Sequence, residues 1–155
     1  MRVEATRVVR ATPEAVFRFL SSLENHWSLA GRWVEVVAVE DSTGRVRIHG
    51  PLGLRRTANT KVVDSEPDHV MHGIAELSGG TRARISWELS EDSGGTAVRL
   101  VAETERTAPG DRLLLTLGGR VWLEHRFESI LTRLDEQFAG SAPPRRATGS
   151  GTLEE

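Results

Sequence analysis

The sequence predicts an α+β fold: an antiparallel sheet of seven strands, two short helices between the first and second strands, and a long C-terminal helix. Three observations carry this. From about residue 33 to 106 apolar and polar residues alternate, in segments divided by turn signals. Before that region lies a short apolar stripe at helical spacing, and after it a longer one.

The chain opens on a strand-like alternation, with Val3, Ala5, Arg7 and Val9 opposed to Arg2, Glu4, Thr6 and Arg10. Thr12 is placed to cap a helix, Pro13 suits its first turn, and Glu14 favours the positive helix end. Ala15, Val16, Phe19, Leu20 and Leu23 make its stripe, Ser21 and Ser22 mark a joint between two short helices, and Gly31 stops the segment. Period-two segments follow at about 33–41, 45–50, 54–64, 69–77, 82–90 and 96–106, joined by turns short enough for antiparallel neighbours. In the clearest of them Ala83, Ile85, Trp87 and Leu89 face one way, while Arg82, Arg84, Ser86 and Glu88 face the other. Val98, Leu100 and Ala102 repeat the pattern, so the sheet has one wet and one dry face. Pro109 introduces the last helix, whose expected stripe is Leu113, Leu117, Leu123, Phe127, Leu131, Leu134 and Phe138. Gly118 and Gly119 weaken that helix and point to a kink or a close approach.

The length of 155 residues suits one domain, expected over residues 1–139, with a Gly-, Ser- and Pro-rich stretch at 140–155 expected to be a disordered tail. A net charge of -2 argues against a general nucleic-acid binder. With no cysteine, thiolate nucleophiles, disulfides and cysteine zinc sites are excluded. No HExxH spacing, nucleophile elbow or phosphate loop occurs, so neither a metal nor a cofactor is expected. No apolar run has the length of a membrane span and the N-terminus lacks a signal-peptide core, which makes the cytoplasm the expected address. The sequence leaves the oligomeric state open.

The element order, with the stretches ATPEAVFRFLSSLENHW, VVDSEPDHVMH and GGTRARISWELSEDSGGTAVRLVAE and the closing helix, resembles the START-like helix-grip superfamily in its polyketide cyclase/dehydrase and lipid-transport branch. The likeness covers about residues 1–138 and lies in pattern and punctuation rather than in a strict motif. It implies a curved sheet gripping the long helix, with a ligand cavity between them. The residues agree with this, because the dry sheet face and the dry helix face must cover each other, and a strongly curved sheet need not be filled by its own side chains.

The expected function is binding of a small hydrophobic or amphipathic molecule: a lipid, a polyketide or an aromatic metabolite. The alternative is a polyketide aromatase/cyclase or dehydratase. Arg120 and Glu124, spaced i, i+4 near the middle of the apolar stripe, read either as a surface pair or as cavity groups orienting a polar ligand end. Trp27, His72, Trp87, Leu117 and Phe127 complete the expected ligand-binding set. His72 enters because it shares a side with Val70 and Ile74. Glu124, His72 and His26 are the candidates for proton transfer, histidine being able to exchange protons near neutral pH. Trp122 falls off the helical stripe and suggests a surface position, a contact with the N-terminal helices or a dimer contact.

Overall fold

The computed structural model describes residues 1–139; the tail expected at 140–155 lies outside the described residues. Strand β1 (Arg2–Val9) leads through helices α1 (Pro13–Ser21) and α2 (Leu23–Ser28) to strands β2 (Val34–Glu40), β3 (Thr43–His49), β4 (Arg55–Glu66), β5 (Val70–Leu77), β6 (Arg82–Asp92) and β7 (Gly95–Arg106). Helices α3 (Pro109–Leu114) and α4 (Arg120–Ala139) close the chain. The seven strands form one antiparallel sheet in the order β1-β7-β6-β5-β4-β3-β2. Bulges between Val36 and Ala38 in β2 and between Val62 and Asp64 in β4 add local bend and twist.

Local chemistry sets the helical ends. The Thr12 side chain accepts a hydrogen bond from the Ala15 N–H at 3.2 Å, and Pro13 occupies the first turn. Ser22 separates α1 from α2 in extended geometry, as the two serines suggest.

The dry sheet face and the helices enclose a core centred on β1, β7 and β6. Val3, Val9, Val16, Leu20, Leu131 and Leu134 are all at most 1% exposed. Ala83, Trp87, Leu89, Val98 and Leu100 belong to the buried side, as their alternation predicts. A second, smaller cluster of Ala30, Val34, Val46 and Ala58 joins β2, β3 and β4.

Helix α4 is fastened over edge strand β1 by Asp135, a residue only 7% exposed. Its Oδ1 accepts from the Arg10 backbone N–H at 3.2 Å and from Arg10 Nε at 3.4 Å, and its Oδ2 accepts from Arg7 Nη2 at 3.4 Å. Burial by itself pushes this carboxyl pKa up. The Arg10 N–H and guanidinium, with Arg7, outweigh burial and hold it below the ordinary carboxylate range. Arg7 thus interrupts the apolar side of β1 because it reaches a helix carboxylate.

The long C-terminal helix is not continuous. Leu115–Gly119 form a widened π-type turn in which Leu117 (φ -83°, ψ 17°) and Gly118 (φ 114°, ψ -3°) leave helical geometry. The φ of Gly118 is one that side chains rarely tolerate, and at Gly119 a Cβ would stand 2.8 Å from the Leu114 carbonyl oxygen. The glycine pair therefore gives both the kink and the close approach that the sequence suggests. It also corrects the expected stripe. Leu123, Phe127, Leu131, Leu134 and Phe138 pack against the core, but Leu113 is 60% and Leu117 74% exposed. A helical wheel run through the glycines carries the wrong phase upstream of them. Among the described residues, no helix is long and apolar enough to cross a membrane.

Candidate functional site

Between the sheet and the C-terminal helices lies a cavity of about 280 Å³. Its floor is the dry face of the sheet, including Val46, Ile48, Ala58, Leu77 and Ile85. Its roof is the α3–α4 segment, through Leu114, Leu115, Trp122 and Phe127. Pro51, from the turn at Pro51–Gly53, borders it as well. The walls are almost wholly apolar, and all four tryptophans of the chain, Trp27, Trp33, Trp87 and Trp122, line them. A broader hollow of about 660 Å³ is edged by charged Glu40, Arg45, Lys61, Glu76 and Arg82 and lacks such walls. The smaller, apolar cavity has the character of a site for an apolar guest.

Besides Thr60 and Thr104, two polar groups of residues touch the cavity. At the α3 end, Asp111 Oδ1 accepts from Arg56 Nη2 at 3.3 Å, and its Oδ2 accepts from the Thr81 hydroxyl. The Thr81 hydroxyl oxygen in turn accepts the Ala108 N–H at 3.0 Å. This set ties the start of α3 to β4 and the β5–β6 turn, and its charges are already paired. On the α2 side stand His26, Trp27 and Trp87, with His26 ring centroids 5.1 Å from Trp27 and 5.3 Å from Trp87. Burial pushes the His26 pKa down to about 4, against a smaller opposing effect of a backbone hydrogen bond with Leu20, so the ring is neutral at pH 7.

The structure places the expected site residues unevenly. Trp27, Trp87, Phe127 and His26 line the cavity. Leu117, Arg120, Glu124 and His72 do not. Arg120 and Glu124 pair with each other at 3.2 Å, their side chains 58% and 40% exposed. Both stand in the first turns of α4, directly after the break at Leu115–Gly119, and Glu124 is within about 20° of buried Leu131 at ~100° per residue, so their exposure follows from their place along the helix and not from its face. Trp122 lines the cavity from the same turns. There it meets the edge of Trp33 at 5.5 Å, while the Arg126 guanidinium lies 5.2 Å from its ring centroid.

The sequence reading puts His72 on the inner side with Val70 and Ile74. The structure reverses that parity: Met71 is buried in the core, and Gly73 and Ala75 line the hollows beside α2, so His72 lies on the other sheet face. Its Nδ1 is 2.7 Å from the Ser86 hydroxyl, its cross-strand neighbour. Strand β5 carries apolar residues on both sides, so its alternation does not decide which is dry. Trp33 and Trp122 are among the lining residues that sequence reasoning misses. A helical wheel does not find Trp122, because within α4 itself it stands ~140° from Phe127 and ~180° from Leu131 at ~100° per residue. Among the described residues, no group of three His, Asp or Glu side chains is arranged to hold a metal ion.

Comparison with known proteins follows the same architecture. The family model described as "Polyketide cyclase / dehydrase and lipid transport" matches residues 1–139. The crystal structure of TTHA0849 from Thermus thermophilus is 25% identical, superimposes with a TM-score of 0.67, and is matched over 92% of this chain and 100% of that one. Ms6760 from Mycobacterium smegmatis is 13% identical with a TM-score of 0.67, covering 90% of this chain and 92% of that one. DynU16, a protein of the dynemicin biosynthetic locus, is 13% identical with a TM-score of 0.61, and 92% of this chain spans 48% of its length. The likenesses at 13% identity show the fold alone. No curated protein matches the sequence.

Proposed function

From the premise that this chain belongs to the polyketide cyclase/dehydrase and lipid-transport family, we propose that it is a cytoplasmic binding protein for one small apolar or amphipathic molecule, such as a lipid, a polyketide or an aromatic metabolite. The observation that carries this reading is the apolar cavity of about 280 Å³ walled by four tryptophans. Binding comes from removing the guest's apolar surface from water, worth about 25 cal/mol per Å² before the entropic costs of association. Orientation falls to the polar side chains that line the cavity, not to Arg120 and Glu124.

Native mass spectrometry of the purified protein, combined with titration by a panel of apolar probes, tests this. One small molecule per chain, or saturable probe binding abolished by Ala75→Phe, is the expected result, since Ala75 lines the hollow that the larger ring would fill. Absence of both adduct and saturable binding sinks the proposal.

A second reading, an aromatase/cyclase or dehydratase, draws on one residue. Of the three proton-transfer candidates only His26 lines the cavity. Its pKa of about 4 makes it a weak base at neutral pH, because general-base catalysis works best when the pKa lies near the working pH. Binding without turnover is therefore the leading reading.

A further inference from the structure

A smaller hollow of about 70 Å³ adjoins the main cavity. His26, Trp27, Thr60, Ala75, Ile85 and Trp87 line both, and so form the partition between them. Three of these six carry a nitrogen without a hydrogen-bond partner: His26 Nδ1, Trp27 Nε1 and Trp87 Nε1. Trp87 is only 3% exposed. Buried polar atoms are nearly always paired, and leaving one unpaired is costly. Three in one cluster of touching rings, in an otherwise apolar wall, is a concentration that packing alone does not explain.

The chemistry of the three atoms is complementary. An indole Nε1–H only donates. His26 Nδ1 is buried and has no hydrogen-bond partner. A neutral imidazole carries one N–H and one lone pair, so with its proton on Nε2 the ring offers a lone pair at Nδ1. The partition thus presents two donors and one acceptor, with no charge. We infer that it is the polar subsite of the cavity and takes a neutral hydroxyl group, of an alcohol, phenol or enol, on an otherwise apolar guest. A hydroxyl accepts from an indole N–H and donates to the imidazole lone pair, whereas a carbonyl oxygen only accepts and a carboxylate finds no cation among these groups. The three nitrogens are buried as the rings now stand, so binding of the hydroxyl requires His26 or Trp27, on the six-residue helix α2, to shift against Trp87 in β6.

This inference rests on the reading that the cavity binds a small molecule, and a matched pair of probes separates the two. The protein, labelled with 15N at tryptophan, is titrated with 2-naphthol and with naphthalene while the four indole N–H resonances are followed. The expected result is that 2-naphthol binds about tenfold more tightly or better, as a hydroxyl satisfied at a buried site should. It also shifts the Trp27 and Trp87 indole resonances more than those of Trp33 and Trp122, and His26→Phe brings the affinity ratio close to one. Equal binding of the two probes, or a preference that survives His26→Phe with Trp27 and Trp87 unmoved, overturns the subsite and leaves the cavity reading standing. Binding of neither probe overturns the subsite, and together with the absence of a native adduct it overturns the cavity reading as well. The wild-type probe pair decides the matter even if His26→Phe does not fold.

Discussion

Under the C-terminal turns of α4 the molecule is solid, and under the α3–α4 junction it is hollow. On the solid side Leu131 and Leu134 share a core with Val9, Val16 and Leu20, none more than 1% exposed. On the hollow side Ile48, Leu77 and Ile85 remain only partly buried, although the sheet beneath them alternates in the same way. The difference lies in the helix rather than in the strands. α4 is clasped to β1 through Asp135, whereas the segment ahead of it bends at Leu115–Gly119 and spans the sheet without filling the space. Strand alternation decides which face is dry; whether the dry face is filled depends on how closely the covering element approaches.

The sharpest way to break this comparison is a pair of truncations. Leu134→Ala on the solid side should cost about 2–5 kcal/mol in denaturant unfolding, as for other fully buried leucines. Leu77→Ala on the hollow side should cost clearly less, because that side chain already borders open space. Equal costs would mean that the two halves are packed alike.

The clasp gives the next effect. Asp135→Asn should destabilise the protein by about 1–2 kcal/mol at neutral pH, below the full value of a buried charged hydrogen bond because its arginine partners are partly solvated. The carboxyl pKa is depressed in the folded state, so its contribution is fully present above the unfolded value of about 3.9 and is lost as pH falls through the folded value. The acid limb of the stability profile should therefore be shallower in Asp135→Asn, and unchanged steepness in urea titrations across that range contradicts the clasp.

The smallest effect is expected at the exposed pair in the first turns of α4. Replacing Arg120 and Glu124 together by leucine should change stability by no more than about 0.5 kcal/mol, as for exposed i, i+4 pairs. It should leave the affinities for naphthalene and 2-naphthol as they are. A shift in their ratio would return the pair to the cavity.

Much of the fold is legible in the sequence. Strand β6, expected at 82–90, runs Arg82–Asp92, with Trp87 facing inward as its alternation requires. Thr12 caps α1 because its side-chain oxygen stands where the helix has free N–H groups. The candidate site is less legible, for two physical reasons. In β5 both parities are apolar, so the alternation assigns His72 to the wrong face. In the C-terminal segment one left-handed glycine breaks the periodicity, so an unbroken helical wheel puts Leu113 and Leu117 on the inner stripe, while Trp122 is missed because it stands off the apolar stripe of α4 itself. The unpartnered nitrogens of His26, Trp27 and Trp87 have no sequence signature, since pairing is a property of the folded surroundings and not of residue type.

The break at Gly118 has a consequence for how this chain tolerates change. The chamber's roof is made on both sides of it, by Leu114 and Leu115 before and by Trp122 and Phe127 after, whereas the buried Leu131, Leu134 and Asp135 all come later. Substitutions at Leu114 and Leu115 can therefore enlarge or narrow the guest's quarters while the anchoring half of the helix stays as it is, so that capacity and durability vary independently along one short stretch of chain.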